Sequence, residues 1–210
     1  MTNRISKSVV IGGESPTNGA EEEIGFEEPY FVTVTIRGTA ALLFHAWNNE
    51  AVAAKSAAAK NSKAKKSDNV ESYVYRTQDG EIAIPGTYLK GTIAGPNGAA
   101  KFLQDPRSPR KSALDLFKAG VIVTTEYASL GTLDWDYLDR RRVLVQRAAI
   151  TRERPAMLAG WEAAFEVMVQ TPEYISRDML HAVISNAGRL VGVGDFRPTY
   201  GRFSVIKFEG

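Results

Sequence analysis

The chain has 210 residues, of which 44% are hydrophobic, and this is enough for one folded domain with its own core. Cysteine is absent, which excludes disulfides, zinc thiolates and cysteine nucleophiles, and we expect a reducing cytoplasm as the compartment. No stretch approaches the roughly 20 apolar residues of a membrane span, and the beginning of the sequence lacks the apolar segment of a signal peptide, so no membrane partner is expected.

The net charge of +2 is unevenly distributed along the chain. Residues 1–29 contain two basic and six acidic side chains among many Gly, Ser and Asn residues, without a hydrophobic period. This composition predicts a flexible acidic arm. Residues 30–210 then carry a net charge of +6, which suggests an anionic partner such as nucleic acid. A solvated basic surface is the alternative.

The first elements are predicted from Tyr30 onward. Apolar and polar residues alternate in "YFVTVTIRGTAALLF", which indicates a strand. Ala, Glu and Lys over residues 46–60 favour a helix. A short strand follows in "EIAIP", and a helix is expected from about Thr87 after a break at Pro85.

A basic loop is predicted near residues 61–69, between the first two helices. The stretch "NSKAKKSDN" has no apolar period and almost nothing to bury. Its cations are Lys63, Lys65 and Lys66.

The second half of the sequence predicts four strands and one helix. The strands are "AGVIVTTEYA", "RRVLVQRAAI", "WEAAFEVMVQ" and "YGRFSVIKF". Segments "RSPRKS", "GTLDWDYLDRRR" and "TRERPAM" are expected to be a basic turn, a surface loop and a linker. The helix "SRDMLHAVISNAG" has apolar residues at helical spacing, with Ser176 as its N-cap and Gly188 as its end.

The element order, roughly β-α-β-α-β-β-β-α-β, predicts an α+β fold. We expect one sheet with helices on one face and inserted loops, in a ferredoxin-like or RNA-recognition-motif-like topology. Residues 30–210 would form this single domain.

Catalytic chemistry has little support in the sequence. The two histidines, His45 and His181, are expected to pack structurally, and no metal-binding or paired-carboxylate motif is present. We therefore predict no catalytic residue, no metal and no cofactor.

Arginines are concentrated in "DRRRVLVQRAAITRERP". On a strand, Arg141 and Arg147 would share one face, and clustered arginines can bind phosphates through two parallel hydrogen bonds. A charged edge strand that resists aggregation is an equal alternative for this segment. Nearby aromatics, namely Tyr88, Tyr200 and Phe203, would stack on bases or belong to the core.

A glycine-rich segment, "NAGRLVGVGDFRPTYGRFSV", precedes the last strand. Its glycines follow a helix, the reverse of a dinucleotide-binding motif. They would let the backbone approach an anion, with Asp195 orienting an arginine. The alternative is a structural turn whose arginines pair with Asp195. The glycines of interest are Gly188, Gly192, Gly194 and Gly201.

Three segments resemble the RAMP superfamily. "IPGTYLKGTIAGPNGAAK" is similar to its helix-opening motif and "AGRLVGVGDFRPTYGRFSV" to its glycine-rich loop. "VTIRGTAALLFH" resembles the first strand of the backbone subunits of CRISPR effector complexes, and "GDFRPTYGRF" especially their stand-alone, phage-type relatives. The resemblance implies a subunit that polymerises along a single strand, grips its phosphates and holds a thumb-like projection over it.

The expected function is the non-enzymatic coating of single-stranded RNA or DNA by a homo-oligomer or filament. Phe26 and Tyr30 would contact a neighbouring subunit, and effector-complex or phage proteins are further possible partners. Alternatives are an assembly protein or inhibitor that mimics an effector subunit, and a nuclease using Asp68 or His45. The nucleic-acid-binding residues predicted from composition and resemblance are Lys63, Lys65, Lys66, Lys90, Arg141, Arg147, Arg152, Arg154, Arg189, Arg197 and Arg202.

Overall fold

Alternating side chains build the strands in this computed structural model, which describes residues 27–46, 53, 57, 69–145 and 148–210. The strands are β1 (Tyr30–Gly38), β2 (Leu42–Leu43), β3 (Tyr75–Arg76), β4 (Ile82–Pro85), β5 (Gln104–Asp105), β6 (Ser108–Ser112), β7 (Val121–Val123), β8 (Tyr127–Ser129), β9 (Tyr137–Val145), β10 (Ala148–Met157), β11 (Glu162–Val169) and β12 (Phe203–Glu209). The α-helices are α1 (Gly86–Ala94), α2 (Leu114–Gly120) and α3 (Arg177–Leu190). Short 3-10 helices span Val70–Tyr73 and Ala99–Phe102.

The main sheet has four antiparallel strands in the order β12-β1-β11-β7. Helix α1 lies in the chain between β1 and β7, and α3 lies between β11 and β12. The sequence β1-α1-β7-β11-α3-β12 is the βαββαβ pattern of the ferredoxin-like fold. The predicted α+β, ferredoxin-like class is confirmed, and the remaining elements are insertions into it.

Both long helices cover the same face of the main sheet. Val32, Val34 and Ile36 of β1 are buried in one hydrophobic cluster with Leu89 of α1 and Leu180 of α3. Burial of each such side chain stabilises the fold by about 1.5–3 kcal/mol. The core therefore lies on one side of the sheet, as expected.

The other face of the main sheet is open and carries mixed charge. Arg37 of β1 forms an ion pair with Glu162 of β11 at 2.7 Å, and Lys207 pairs with Glu209 on β12 at 2.7 Å. Phe31 is 48% exposed on this face. Since carboxylates balance the charges of Arg37 and Lys207, these two cations add no net positive charge to the described part of the open face.

Helix α3 begins as predicted but ends later. The Ser176 side chain accepts a hydrogen bond from the Met179 backbone N–H at 3.2 Å. The helix continues through Gly188 to Leu190, so the expected end at Gly188 is wrong. A Cβ on Gly188 would lie 2.2 Å from the Phe203 carbonyl oxygen, and the glycine therefore serves close packing of α3 on β12.

Strands β9 and β10 form a long antiparallel hairpin, which contradicts two predictions. The expected loop over residues 131–142 becomes strand from Tyr137, and the expected linker "TRERPAM" is part of β10. The predicted strand "RRVLVQRAAI" covers the end of β9 and the start of β10, and charged residues and Pro155 concealed the remaining parts. They are accommodated because charges pair with each other, as Arg140 does with Glu153, and β10 also pairs with β2.

The insertions hold three further differences from the sequence-based expectation. The segment "AGVIVTTEYA" is split into β7 and β8, which belong to different sheets. The basic turn is a small hairpin, β5–β6. Helix α2 was not predicted, because its seven residues are too few for a clear helical period.

Among the described residues, no helix has the length and apolar character needed to cross a membrane. The acidic arm up to residue 26, most of the helix predicted over residues 46–60 and the basic loop over residues 61–68 lie outside the described residues. The division into an arm and one domain with a basic insertion stays a prediction.

Candidate nucleic-acid interface

Cross-strand pairing in the β9–β10 hairpin collects arginines on one face. Arg141 lies directly opposite Arg152, and Asp139 lies directly opposite Arg154. Residues directly opposite each other in an antiparallel pair project to the same side of the sheet, and like charges there are destabilising. The face thus carries three arginines and one aspartate, an arrangement that needs either nearby acceptors or an anionic ligand.

The glycine-rich loop, residues 191–202, docks against this hairpin region. The Val193 backbone N–H donates to the Gly201 carbonyl at 2.9 Å, and the Asp195 N–H donates to the Leu43 carbonyl of β2 at 2.9 Å. A Cβ on Gly201 would lie 1.7 Å from the Val193 oxygen, and one on Gly194 would lie 2.7 Å from the Leu43 oxygen. These glycines approach the protein's own backbone, which favours the structural-turn alternative over an anion cradle.

Arg154 is the most deeply buried cation of the site. Its side chain is about 6% exposed, and its Nε donates to Asp195 Oδ2 at 2.5 Å. The guanidinium carbon lies 4.7 Å from the centre of the Phe196 ring. The expected pairing of Asp195 with an arginine is therefore observed, with an arginine from the hairpin. Such burial argues against the predicted direct contact of Arg154 with phosphate.

One donor of Arg154 is unused. Its Nη1 is buried and has no hydrogen-bond partner among the described residues. An unsatisfied buried donor costs about 1–3 kcal/mol. The site is thus held together at some energetic cost, which the surrounding contacts must offset.

Arg141 is also fixed within the protein. Its Nε donates to Asp139 Oδ1 at 2.5 Å, and its Nη2 donates to the Tyr200 hydroxyl at 2.5 Å. The guanidinium lies 4.8 Å from the Tyr200 ring centre and 5.2 Å from that of Phe196. The hydrogen bond to Asp139 is the main cause that raises the Arg141 pKa. Arg141 therefore stays charged and orients the two rings.

Phe196 therefore contacts two guanidinium groups, those of Arg141 and Arg154. Its backbone has φ 56°, a left-handed conformation that is rare outside glycine, and its side chain remains 37% exposed. We call this group the arginine–aromatic cluster; its members are Asp139, Arg141, Arg154, Asp195, Phe196 and Tyr200.

Arg152 lies beside the cluster with a neutral partner. Its Nη1 is 2.8 Å from His45 Nε2, and the His45 ring stacks on Tyr73 with 4.5 Å between ring centres. Burial lowers the His45 pKa, opposed by Asp195 and assisted by the nearby arginines. His45 is therefore neutral at pH 7 and accepts from Arg152, whose charge is not paired with a carboxylate in the described part of the chain.

The arginines of the glycine-rich loop and of α3 occupy two places. Arg189 and Arg202 line one cleft of about 390 Å³ with Thr39, Ser185, Phe203, Ser204 and Val205. Arg197 is exposed in the loop, outside that cleft. Within the described ranges these three guanidinium groups have no hydrogen bond or ion pair. The loop therefore does not bring all three together, as a single phosphate clamp would require.

Two other predicted residues have partners within the chain. Lys90 Nζ donates to the carbonyls of Phe117, at 2.8 Å, Lys118, at 3.0 Å, and Val121. An ammonium group has three donors, so these bonds argue against a phosphate contact. The Tyr30 hydroxyl donates to the Ile175 carbonyl at 2.9 Å, and burial raises the pKa of Tyr30 to about 12. Its role in a subunit contact stays a prediction.

Several predicted residues cannot be placed. They lie outside the described residues and are Phe26, Lys63, Lys65, Lys66, Asp68 and Arg147.

Sequence reasoning did not assign several residues that shape the site. Phe196, Asp139 and Tyr73 hold arginines or histidine in place, and Arg142 is exposed on the opposite face of the hairpin. The run of three arginines could have suggested Arg142. The contacts of the other three join segments that are distant in the sequence. Of the aromatics considered for stacking, Phe203 is core and Tyr88 is half-buried, which leaves Tyr200 in the cluster.

His45 is engaged with Arg152 and Tyr73, and His181 packs edge-on against Phe208 at 5.0 Å. Among the described residues, no group of three or more His, Asp or Glu side chains could hold a metal ion.

No family model and no curated protein matches the sequence. Among solved structures, the chain is similar to one from a crystal structure of the Csm3–Csm4 subcomplex in the type III-A CRISPR–Cas interference complex. The similarity covers 88% of this chain and 78% of that chain, with a TM-score of 0.39 and 15% sequence identity.

Proposed function

We propose that the protein binds single-stranded nucleic acid through phosphate contacts, without cleaving it. The observation that carries the proposal is the hairpin face on which Arg152, whose charge has no carboxylate partner among the described residues, lies opposite Arg141. The Arg141 guanidinium in turn lies 5.2 Å from the centre of the Phe196 ring, which belongs to a residue that is 37% exposed. Excess guanidinium charge next to an aromatic ring is the combination that proteins use to bind single strands.

The arginines in and near the cluster are of two kinds: some are fixed by contacts within the protein, and others are free to contact phosphates. Arg141 and Arg154 orient Phe196 and Tyr200, and because these side chains are already ordered, little conformational entropy is lost on binding. Arg152 and Arg197 remain available for phosphates, which position a strand without reading its sequence.

A single strand suits the site better than a duplex. Phe196 exposes part of its ring, and a base can stack on it only when it is free of its neighbours. Stacking is tolerant of sequence because every base has a π face. The proposal therefore covers both RNA and single-stranded DNA.

We further propose that copies of the chain coat the strand as a homo-oligomer or filament. The resemblance of the sequence motifs to backbone subunits of the RAMP superfamily supports this, as does the ferredoxin-like topology. The stand-alone, phage-type role belongs to the same proposal.

Salt dependence of binding tests the function. Anisotropy of labelled RNA and DNA longer than the roughly 4–16 nucleotides of one single-strand site is measured at increasing salt. The logarithm of the affinity should fall linearly with the logarithm of salt, with a slope of about −0.7 per phosphate neutralised. Replacing Arg152 with Gln should make that slope shallower by about 0.7.

Arg37 provides the matched control, because it is an exposed arginine on the open sheet face. Arg37→Gln should bind as the unmodified protein does. Affinity that is flat with salt, or an equal loss in both variants, contradicts the proposed site. Labelled strands should also remain intact with and without magnesium; cleavage would favour the nuclease alternative.

A further inference from the structure

The cleft beside β12 differs in composition from every other charged surface described above. Its lining consists of the two arginines Arg189 and Arg202, the hydroxyl residues Thr39, Ser185 and Ser204, and the apolar residues Phe203 and Val205. No carboxylate is among them. All its charged and hydroxyl groups can donate hydrogen bonds, so the cleft is suited to an anion.

Both arginines project from fixed backbone. Arg189 belongs to the last turn of α3. The Arg202 carbonyl accepts hydrogen bonds from the backbone N–H groups of Thr39, at 2.8 Å, and Ala40, at 3.3 Å. The backbone positions from which the two side chains project are therefore fixed, and the side chains themselves are exposed.

The charge of the cleft matches a doubly charged phosphate. A phosphate monoester carries about −1.5 to −2 charges at pH 7 and three strong acceptor oxygens, and a guanidinium group can bind two of them side by side. A phosphodiester inside a strand carries a single charge. Two arginines without an ion pair in the described part of the chain therefore complement a monoester better than an internal phosphate.

The C-terminal end of α3 opposes an anion only weakly. A helix end carries about half an elementary negative charge, and this effect falls off within the last turn. The two guanidinium charges outweigh it. The volume of about 390 Å³ lies within the roughly 300–1,000 Å³ of small-molecule sites, so the cleft has room for a phosphate with an attached sugar.

We propose that this cleft binds the terminal phosphate of a nucleic-acid strand. The proposal rests on the function proposed above and adds recognition of strand ends to it. The chemistry recognised is a phosphate monoester, which a free mononucleotide shares, and the experiment distinguishes the two sources.

The experiment compares oligonucleotides of one sequence with a 5′-phosphate, a 3′-phosphate or hydroxyls at both ends. One phosphorylated form should bind about tenfold more tightly than the hydroxyl form, which corresponds to one hydrogen bond to a charged group. The double variant Arg189→Gln/Arg202→Gln should lose this preference. Because both side chains are exposed, its thermal melting curve should match that of the unmodified protein.

Arg197→Gln is the matched control, since Arg197 lies in the same loop but outside the cleft. It should weaken binding of all three oligonucleotides to the same extent and keep the preference for a phosphorylated end. Equal affinity of the unmodified protein for all three ends overturns the end-recognition site and leaves the proposed function intact. A preference that persists in the double variant overturns it as well.

Direct calorimetry with AMP and with inorganic phosphate separates the two proposals. If no oligonucleotide binds, the proposed function fails, and the terminal-phosphate assignment fails with it. Binding of AMP that depends on Arg189 and Arg202 would then identify a mononucleotide as the source of the monoester.

Discussion

Phe196 offers the sharpest test of the arginine–aromatic cluster, because one residue combines a strained backbone with two ring contacts. Its φ of 56° places a large side chain in the left-handed region, which costs about 1–2 kcal/mol. The surrounding contacts must exceed that cost. Substitution by alanine removes the ring but keeps the strain, whereas substitution by glycine removes both.

The magnitude follows from burial and ring contacts. Phenylalanine buries about 150–250 Å² when enclosed, and with 37% of the residue exposed about 125 Å² is removed from water, worth about 3 kcal/mol as an upper value. Two cation–π contacts at 4.7 and 5.2 Å add about 0.5–1 kcal/mol each. Phe196→Ala should therefore destabilise the protein by about 3–5 kcal/mol.

Phe196→Gly should be more stable than Phe196→Ala by about 1 kcal/mol, because the strain is relieved. Thermal melting followed by circular dichroism measures both. A change of 1 kcal/mol moves the melting temperature by about 2–4 °C at this chain length. Binding of single strands, measured below the melting temperature, should weaken in both variants by about 1–3 kcal/mol for the lost stacked base.

Three outcomes would refute this reasoning. An alanine variant with the same melting temperature as the unmodified protein would show that the ring does not stabilise the cluster. An alanine variant more stable than the glycine variant would show that the left-handed backbone is not strained. Unchanged binding in both variants would remove the ring from the interface.

Three further outcomes follow from the fold and its ionisable groups. Lys90→Met should lower the melting temperature, since three carbonyls lose their donor, yet leave strand affinity unchanged at permissive temperature; a loss of affinity would restore its predicted phosphate role. Gly188→Ala should destabilise by about 1–3 kcal/mol, because its Cβ would lie 2.2 Å from the Phe203 carbonyl oxygen; denaturant unfolding with an unchanged midpoint would contradict that packing. The His45 pKa is lowered in the folded protein. The stability that neutral His45 contributes is therefore present above the unfolded pKa of about 6.5 and is lost as the pH falls through the folded pKa. The melting temperature of His45→Gln should accordingly depend less on pH below 6.5 than that of the unmodified protein.

Hydrophobic periodicity predicted the elements that bury one face. In β1 and β11 every second residue is buried in the core, and in α3 the apolar residues recur with the helix period. The sequence pattern therefore predicts which residues of these elements are buried. The end of α3 was missed because Gly188 serves a contact with Phe203, and a contact between elements leaves no local signal.

The outer parts of the β9–β10 hairpin escaped prediction because their polar residues are stabilised by distant partners. Arg154 bonds Asp195, 41 residues away, and Arg141 bonds Tyr200, 59 residues away. Composition indicated that arginines gather in this segment. It could not separate Arg141 and Arg154, which are fixed inside the protein, from Arg152, which is available, since that distinction depends on the docking of the loop.

The sequence singled out the glycine-rich loop as a site where the backbone approaches an anion, and the structure gives its glycines a different neighbour. Its glycines are needed for close approach, as predicted, but the groups approached are the Val193 and Leu43 carbonyls rather than a ligand. Sequence spacing shows that side chains are absent at these positions, and it does not show what takes their space.

The central position of β1 has a consequence for how the protein is made. Its partner strands come late in the chain, and the paired residues Arg37 and Glu162 are 125 residues apart. At a synthesis rate of roughly 5–20 residues per second, β11 is made about 6–25 s after β1, and both edges of β1 are unpaired during that time. Unpaired apolar strands are templates for aggregation. Chaperone demand during translation should therefore fall on the β1 segment, and the main sheet can close only after β11 and β12 have been synthesised.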